Sequence, residues 1–169
     1  GFSAKADAGD PSAMPEALQE YGEKPVILDL YCGVGTIGLY CADEAEQIIG
    51  IEIVKDAVLD ANRNAVVNGI VNARYICGKA EEILPLYAGQ KKDSGRIANL
   101  KEDPSVKTDP NLAEAISRAS IAILDPPRAG CRPELLEAVI DLGVERIVYV
   151  SCDPATLARD IKFLGEHGY

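Results

Sequence analysis

The chain has 169 residues, and Lys+Arg 17 against Asp+Glu 27 leave a formal net charge of −10. So acidic a chain is not expected to capture nucleic acid by itself, because that affinity rests on clustered cations that neutralise phosphates. With 47% hydrophobic residues, the chain is predicted to form one globular core that buries roughly two-thirds of its unfolded surface, not a disordered or fibrous chain.

No apolar run approaches the roughly 20 residues of a bilayer span, and the opening GFSAKADAGD lacks the basic and apolar parts of a signal peptide. The five cysteines, Cys32, Cys41, Cys77, Cys131 and Cys152, are scattered and contain no C-x-x-C pair. Neither a disulfide framework nor a metal site is expected, and a reducing cytoplasm is the default.

Residues up to about Pro15 read as a lead-in rich in Ala, Gly, Asp and Ser. From Pro15, PEALQEYG predicts a short helix with Leu18 and Tyr21 on one face and Gly22 at its end. Short apolar runs then recur at Val26 to Tyr31, Gln47 to Ile53, Ala73 to Cys77, Ser120 to Leu124 and Arg146 to Val150, and each predicts a strand. Helical stripes lie between and after them: Val54, Val58, Ala61 and Ala65; Leu135, Leu136, Val139 and Ile140; Leu157, Ile161 and Leu164. Pro133 and Pro154 sit where first-turn prolines are tolerated, the latter after a capping Asp153. Cys41 and Cys77 fall at helix and strand positions expected to be buried.

Buried strands alternating with amphipathic helices predict an α/β fold, a doubly wound and mostly parallel sheet with right-handed crossovers. The expected organisation is a lead-in over 1–24 and a core over 25–169, with an exposed insertion at 89–118 whose second half, from Asn111, is helical. The insertion carries Lys91, Lys92, Arg96 and Lys101, but interleaved acids make it a solvated loop.

The first strand ends in Gly33-Val34-Gly35-Thr36-Ile37-Gly38, a G-x-G-x-x-G turn leading into a helix. Glycines let such a turn tighten and approach a ligand at the carboxyl edge of the sheet, where open parallel sheets bind cofactors. Glu52 ends the second strand, where its carboxylate can accept hydrogen bonds from a ribose diol, with Ile53 beside it. That spacing suits both NAD and S-adenosylmethionine (SAM). Asp29, inside the first strand, favours SAM, because a carboxylate there repels a pyrophosphate and attracts an ammonium.

Asp125-Pro126-Pro127-Arg128 follows the fourth strand on the same edge, and its two prolines make a stiff platform for Asp125 and Arg128. Arg after the prolines, where an aromatic would stack a flipped base, disfavours amino methylation of adenine or cytosine. Ser151-Cys152-Asp153-Pro154 follows the fifth strand and puts Cys152 just before a helix N-terminus. The helix field favours a thiolate there and Asp153 opposes it. Cys152 is the candidate nucleophile, with Cys32 and Cys131 as nearer rivals than Cys41 and Cys77.

LDLYCGVGTIGLYCA, GIEI, LDPPRAG and YVSCDPATLARD, in this order and spacing, resemble the catalytic domain of the RNA uracil-5-methyltransferases, which make 5-methyluridine in tRNA or ribosomal RNA, over about Pro25 to Tyr169. The resemblance implies a Rossmann-like SAM-dependent methyltransferase fold. It also implies that Tyr31, Gly33, Thr36, Glu52 and Asp125 border SAM, and that Cys152 adds to carbon 6 of a uridine. Asp29, Gly35 and Ile53 complete the candidate cofactor set, and Arg128 is a candidate substrate contact. The family carries its proton-abstracting Glu beyond the fifth strand and its helix, so an incomplete domain lacking the last strands is expected, bound to RNA mainly through other regions. A monomer without metal, RNA or membrane anchor of its own is the corresponding expectation. A small-molecule SAM methyltransferase, a non-catalytic SAM-binding module and an NAD-linked dehydrogenase remain as alternatives.

Overall fold

The computed structural model describes residues 23–88 and 109–169. The expected helix at 15–22 and the basic stretch at 91–101 lie outside the described residues. Among the described residues the strands are β1 (Val26–Leu30), β2 (Gln47–Glu52), β3 (Ala73–Cys77), β4 (Ala119–Leu124) and β5 (Arg146–Tyr149). The helices are α1 (Thr36–Tyr40), α2 (Lys55–Val67), α3 (Ala80–Ala88), α4 (Pro110–Ser117), α5 (Pro133–Leu142) and α6 (Pro154–Gly165). The strands form one sheet in the order β3-β2-β1-β4-β5, with every pair parallel. Because all five run the same way, their carboxyl ends gather on one edge.

Every residue of β1 is buried, as a strand hydrogen-bonded on both sides and covered on both faces must be. Successive side chains take opposite faces. Val26, Leu28 and Leu30 join Ile49, Ile51, Leu84 of α3, Ile116 of α4 and Leu135 and Val139 of α5 in the main core. On the other face Ile27 packs with Ile48 and Ile123, while Val58, Ala61 and Ala65 of α2 enclose Tyr75.

The stripes are realised with local exceptions. Val54 caps α2 and is 54% exposed, because a residue at N-cap has not yet joined the buried face. Leu164 of α6 is buried while Ile161 is exposed; α6 lies beyond β5, an edge strand whose Arg146 and Val148 are open. Cys77 is exposed rather than buried, and Cys41 is half-buried, since each sits at the end of its element.

α3 is not among the expected helices, whereas the helix expected from Asn111 is present as α4. α3 contains Pro85 in its interior, a placement that usually costs about 3 kcal/mol and hides the helix from a pattern search. Ala80, Leu84, Tyr87 and Ala88 nevertheless form one buried face, and packing outweighs propensity. The expected insertion also ends earlier than Arg118. Asp109 caps α4 by accepting from the Asn111 amide at 3.0 Å, and it pairs with Arg74 of β3 at 2.7 Å. Leu112, Ala115 and Ile116 are buried, so α4 belongs to the covering layer.

Tyr75 fixes the spacing between layers. It is paired with Gly50 in the β2–β3 register, and its hydroxyl donates to the Gly35 carbonyl at 3.3 Å. A Cβ on Gly50 would lie 2.2 Å from the Tyr75 ring and 2.9 Å from Cys32 Sγ. Gly50→Ala is therefore expected to lower stability by about 1–3 kcal/mol through overpacking, read as a lower urea midpoint at unchanged slope. An unchanged midpoint would show that Tyr75 can move aside.

Candidate functional site

The glycine turn is held from two sides. The Tyr31 and Cys32 amides both donate to the Ile51 carbonyl, at 2.9 and 3.3 Å, which continues the β1–β2 ladder past the strand end. Tyr31 then takes φ 63 and Gly33 φ 54. The left-handed region is uncommon for a tyrosine, and here it starts the turn. A Cβ on Gly33 would meet nothing within 4 Å, so the turn presents bare backbone to open space. Gly35 (φ 80) is different, because a Cβ there would strike the Tyr75 ring at 2.6 Å; its smallness serves packing.

Glu52 joins this turn to the next. Its Oε2 accepts from the Gly33 amide at 3.0 Å and its Oε1 from the Val54 amide at 2.8 Å. The side chain is 9% exposed. Each carboxylate oxygen keeps acceptor capacity for a further donor.

Asp29 is seated deeper than the sequence implied. It is 1% exposed; its Oδ2 accepts from the Gly38 amide at 3.0 Å, while Oδ1 is buried without a partner. Burial pushes its carboxyl up from 3.8 to about 6, the Gly38 bond opposes this, and the nearby Asp125 charge adds to it. Asp29 thus lies beneath the turn and supports α1.

A cleft of about 360 Å³ opens beside the turn, lined by Tyr31, Ile51, Glu52, Ile53, Gly78, Lys79, Ala80, Glu81, Asp125 and Pro127. Of the residues singled out from sequence, Tyr31, Glu52, Ile53 and Asp125 share this cleft. Gly33 reaches its Glu52 wall through the backbone, Gly35 packs on Tyr75, and Thr36 is exposed at the start of α1. The segment Gly78–Glu81 was missed. Its signal was positional, since any residue leaving a parallel strand next to β2 must arrive at the same edge. Glu81 is held by Tyr31, whose hydroxyl donates at 3.5 Å, and by Arg132 at 3.6 Å.

Arg128 and Cys152 stand on neighbouring loops of this edge, outside the cleft lining. The Gly130 amide donates to the Pro127 carbonyl at 2.8 Å, closing a turn with exposed Arg128 at its tip. Cys152 is exposed in a turn closed by Ser151, whose Oγ accepts from the Asp153 amide at 3.1 Å. Asp153 caps α6 through the Ala155 and Thr156 amides. Cys32 is half-buried and Cys131 buried. Burial, with the Asp29 and Glu52 charges, pushes Cys32 up to about 12, and burial pushes Cys131 up to about 11. Among the described residues no His, Cys, Asp and Glu group could hold a metal ion, and no helix is long and apolar enough to cross a membrane.

The family model described as tRNA (uracil-5-)-methyltransferase matches residues 15–167. The chain belongs to that family. An uncharacterized RNA methyltransferase of Lactobacillus johnsonii is 39% identical over 155 residues, covering 90% of this chain and 29% of that protein. One of Caldanaerobacter subterraneus is 42% identical over 147 residues, covering 86% and 27%. The chain therefore spans under a third of the length of these relatives. The tRNA (uracil-54, C5)-methyltransferase of Pyrococcus abyssi, solved with S-adenosyl-L-homocysteine, is 29% identical with a TM-score of 0.58, covering 87% of this chain and 29% of that one. That likeness places the parallel sheet of this family member in the Rossmann-like methyltransferase fold.

Because Asp29 holds its proton more readily folded than unfolded, protonation between about pH 4 and 6 stabilises the fold, and its ionised form at pH 7 opposes it. Asp29→Asn is expected to raise stability at pH 7 by on the order of 1–3 kcal/mol, a gain that fades toward pH 4. Urea titrations at both pH values check this. An equal loss at both would mean that the bond to Gly38, and not the charge, dominates.

Proposed function

We propose that this chain holds SAM in the cleft and presents Cys152 for methylation of carbon 5 of a uridine in RNA. The observation that carries the cofactor reading is the charge of the cleft. Glu52, Glu81 and Asp125 line it against one lining cation, Lys79, itself paired with Glu82 at 2.5 Å, while Arg132 pairs with Glu81 from outside the lining at 3.6 Å. Such a wall suits a ligand bearing a sulfonium and an ammonium and opposes a pyrophosphate. The free acceptor capacity of Glu52 suits a ribose diol, and the open space above Gly33 suits close approach of a ligand to backbone. The P. abyssi relative with S-adenosyl-L-homocysteine supports the same reading.

SAM, when bound, supplies an electrophilic methyl group. The work of this chain's own residues is to make carbon 5 of the pyrimidine nucleophilic. The Cys152 thiolate adds to carbon 6, its electron pair forming the S–C bond while the carbon 5–carbon 6 π pair becomes an enolate. Once carbon 5 carries its methyl, a base must remove the carbon 5 proton so that the thiolate leaves and the ring double bond returns. Carbon 6 is covered in a stacked base, so the uridine must be flipped out. Arg128, at the tip of its turn, is placed to meet a phosphate or the pyrimidine. A net charge of −10 offers little general attraction to RNA. With under a third of its relatives' length, residues 1–169 alone are expected to bind SAM weakly and turn over RNA negligibly.

Calorimetry with SAM and with NAD in parallel tests the cofactor. Heat with SAM is expected, and heat with NAD alone overturns the assignment. Glu52→Gln should weaken SAM binding about 10- to 100-fold, as befits the loss of one charged acceptor; unaltered affinity would remove Glu52 from the site. For the nucleophile, RNA containing 5-fluorouracil should give a SAM-dependent covalent adduct with the full-length protein, seen by mass spectrometry. Cys152→Ala should abolish it, and an adduct that survives would assign the bond to another residue.

A further inference from the structure

Away from the cleft the structure buries one more carboxylate. Asp160, in the middle of α6, is 2% exposed. Its Oδ2 accepts from the Cys131 amide at 2.8 Å and from the Tyr149 hydroxyl at 2.5 Å. Its Oδ1 accepts from Arg159 Nε at 2.8 Å. Burial opposes its charge, yet the bonds from Arg159, Tyr149 and the Cys131 amide hold its carboxyl below the usual range, so it is a fixed anion at neutral pH.

The donors come from three places: the loop after β4, the last residue of β5 and α6 itself. Arg159 extends the grip, with Nη2 donating to the Ala129 carbonyl at 3.0 Å and to the Cys131 carbonyl at 3.2 Å. The Thr156 hydroxyl lies 3.2 Å from the Arg128 carbonyl. Three carbonyls and one amide of residues 128–131 are thus held by one face of α6. Gly130 (φ 77) makes the approach possible, since a Cβ there would lie 2.5 Å from Arg159 Nη2 and 2.6 Å from Asp160 Oδ2.

We infer that Asp160 is a positioning residue, which with Arg159 clamps the DPPRAG loop onto α6 and so sets Arg128 against the Cys152 turn at the start of the same helix. A hydrophobic contact could hold a loop near a helix, but a buried anion with donors from three elements fixes direction as well as distance. The catalytic half of the inference rests on Cys152 being the nucleophile; the clamp itself does not.

Asp160→Asn keeps the shape and removes the charge. Amide hydrogen exchange at residues 129–131 is expected to accelerate about tenfold or more, with β1 and β2 unchanged. In the full-length protein the SAM dissociation constant should stay within about twofold, while the rate of adduct formation with 5-fluorouracil RNA falls about tenfold or more at saturating RNA. That split separates positioning from general destabilisation, which would move both. Should Asp160→Asn fail to fold, Gly130→Ala disturbs the clamp from the loop side, and Tyr149→Phe removes one donor; both should loosen 129–131, the latter less. Loop exchange equal to wild type in the folded variants overturns the clamp. A loosened loop with an undiminished adduct rate overturns the positioning role. If the wild type forms no adduct, the Cys152 reading fails, the catalytic half of the inference falls with it, and loop exchange alone decides the clamp.

Discussion

Everything at the functional edge depends on β1. It is hydrogen-bonded to β2 on one side and β4 on the other, and no residue of it reaches solvent. A strand held on both edges and both faces cannot shift register without moving its whole apolar set to the wrong side. The turn that leaves it is therefore fixed in space, and so are the ends of its neighbours. The cleft uses this directly: Tyr31 follows β1, Glu52 ends β2 with Ile53 after it, and Asp125 follows β4.

Two acids share the support of the turn in unequal ways. Glu52 sits at its rim, with an amide on each oxygen, and it lines the cleft. Asp29 sits below, with one oxygen paired and the other orphaned. An orphaned buried oxygen is a standing electrostatic cost, and Gly38 is the residue that lets the carboxylate fit, since a Cβ there would lie 2.6 Å from Oδ2. The result is an acidic foundation under an acidic cleft. Asp125 contributes to both, as a wall of the cleft and as a charge that raises the Asp29 carboxyl. A cationic ligand would relieve this repulsion.

On the far side of β4 the same economy of polar contact holds the later loops. Prolines at 126 and 127 remove two amide donors from the loop, and α6 grips it through the carbonyls at 128, 129 and 131 and the Cys131 amide. Arg159 and Thr156 of α6 supply the matching donors. The side chains of Arg128 and Cys152 then project from turns whose backbones are already hydrogen-bonded.

The sequence by itself determined the strands, because residues covered on both faces read as unbroken apolar runs such as VILDL and QIIGIE. It determined the glycine turn and the loops DPPRAG and SCDPATLARD, whose meaning lies in consecutive residues. Only the tertiary structure decided which of these side chains meet. Asp29 and Glu52 look alike in sequence, each an acid on a short apolar strand, but one lies under α1 and the other at an open strand end. α3 is hidden by Pro85, whereas α4 is legible as a helix from Asn111 and only its burial is not, since packing and not local propensity stabilises both. Asp160 has no distinguishing pattern in the sequence, and the loop from β4 and the end of β5 close around it only in the fold. Hydrogen bonds between segments distant along the chain leave no periodicity, and such bonds build both the Glu52 bridge and the Asp160 clamp.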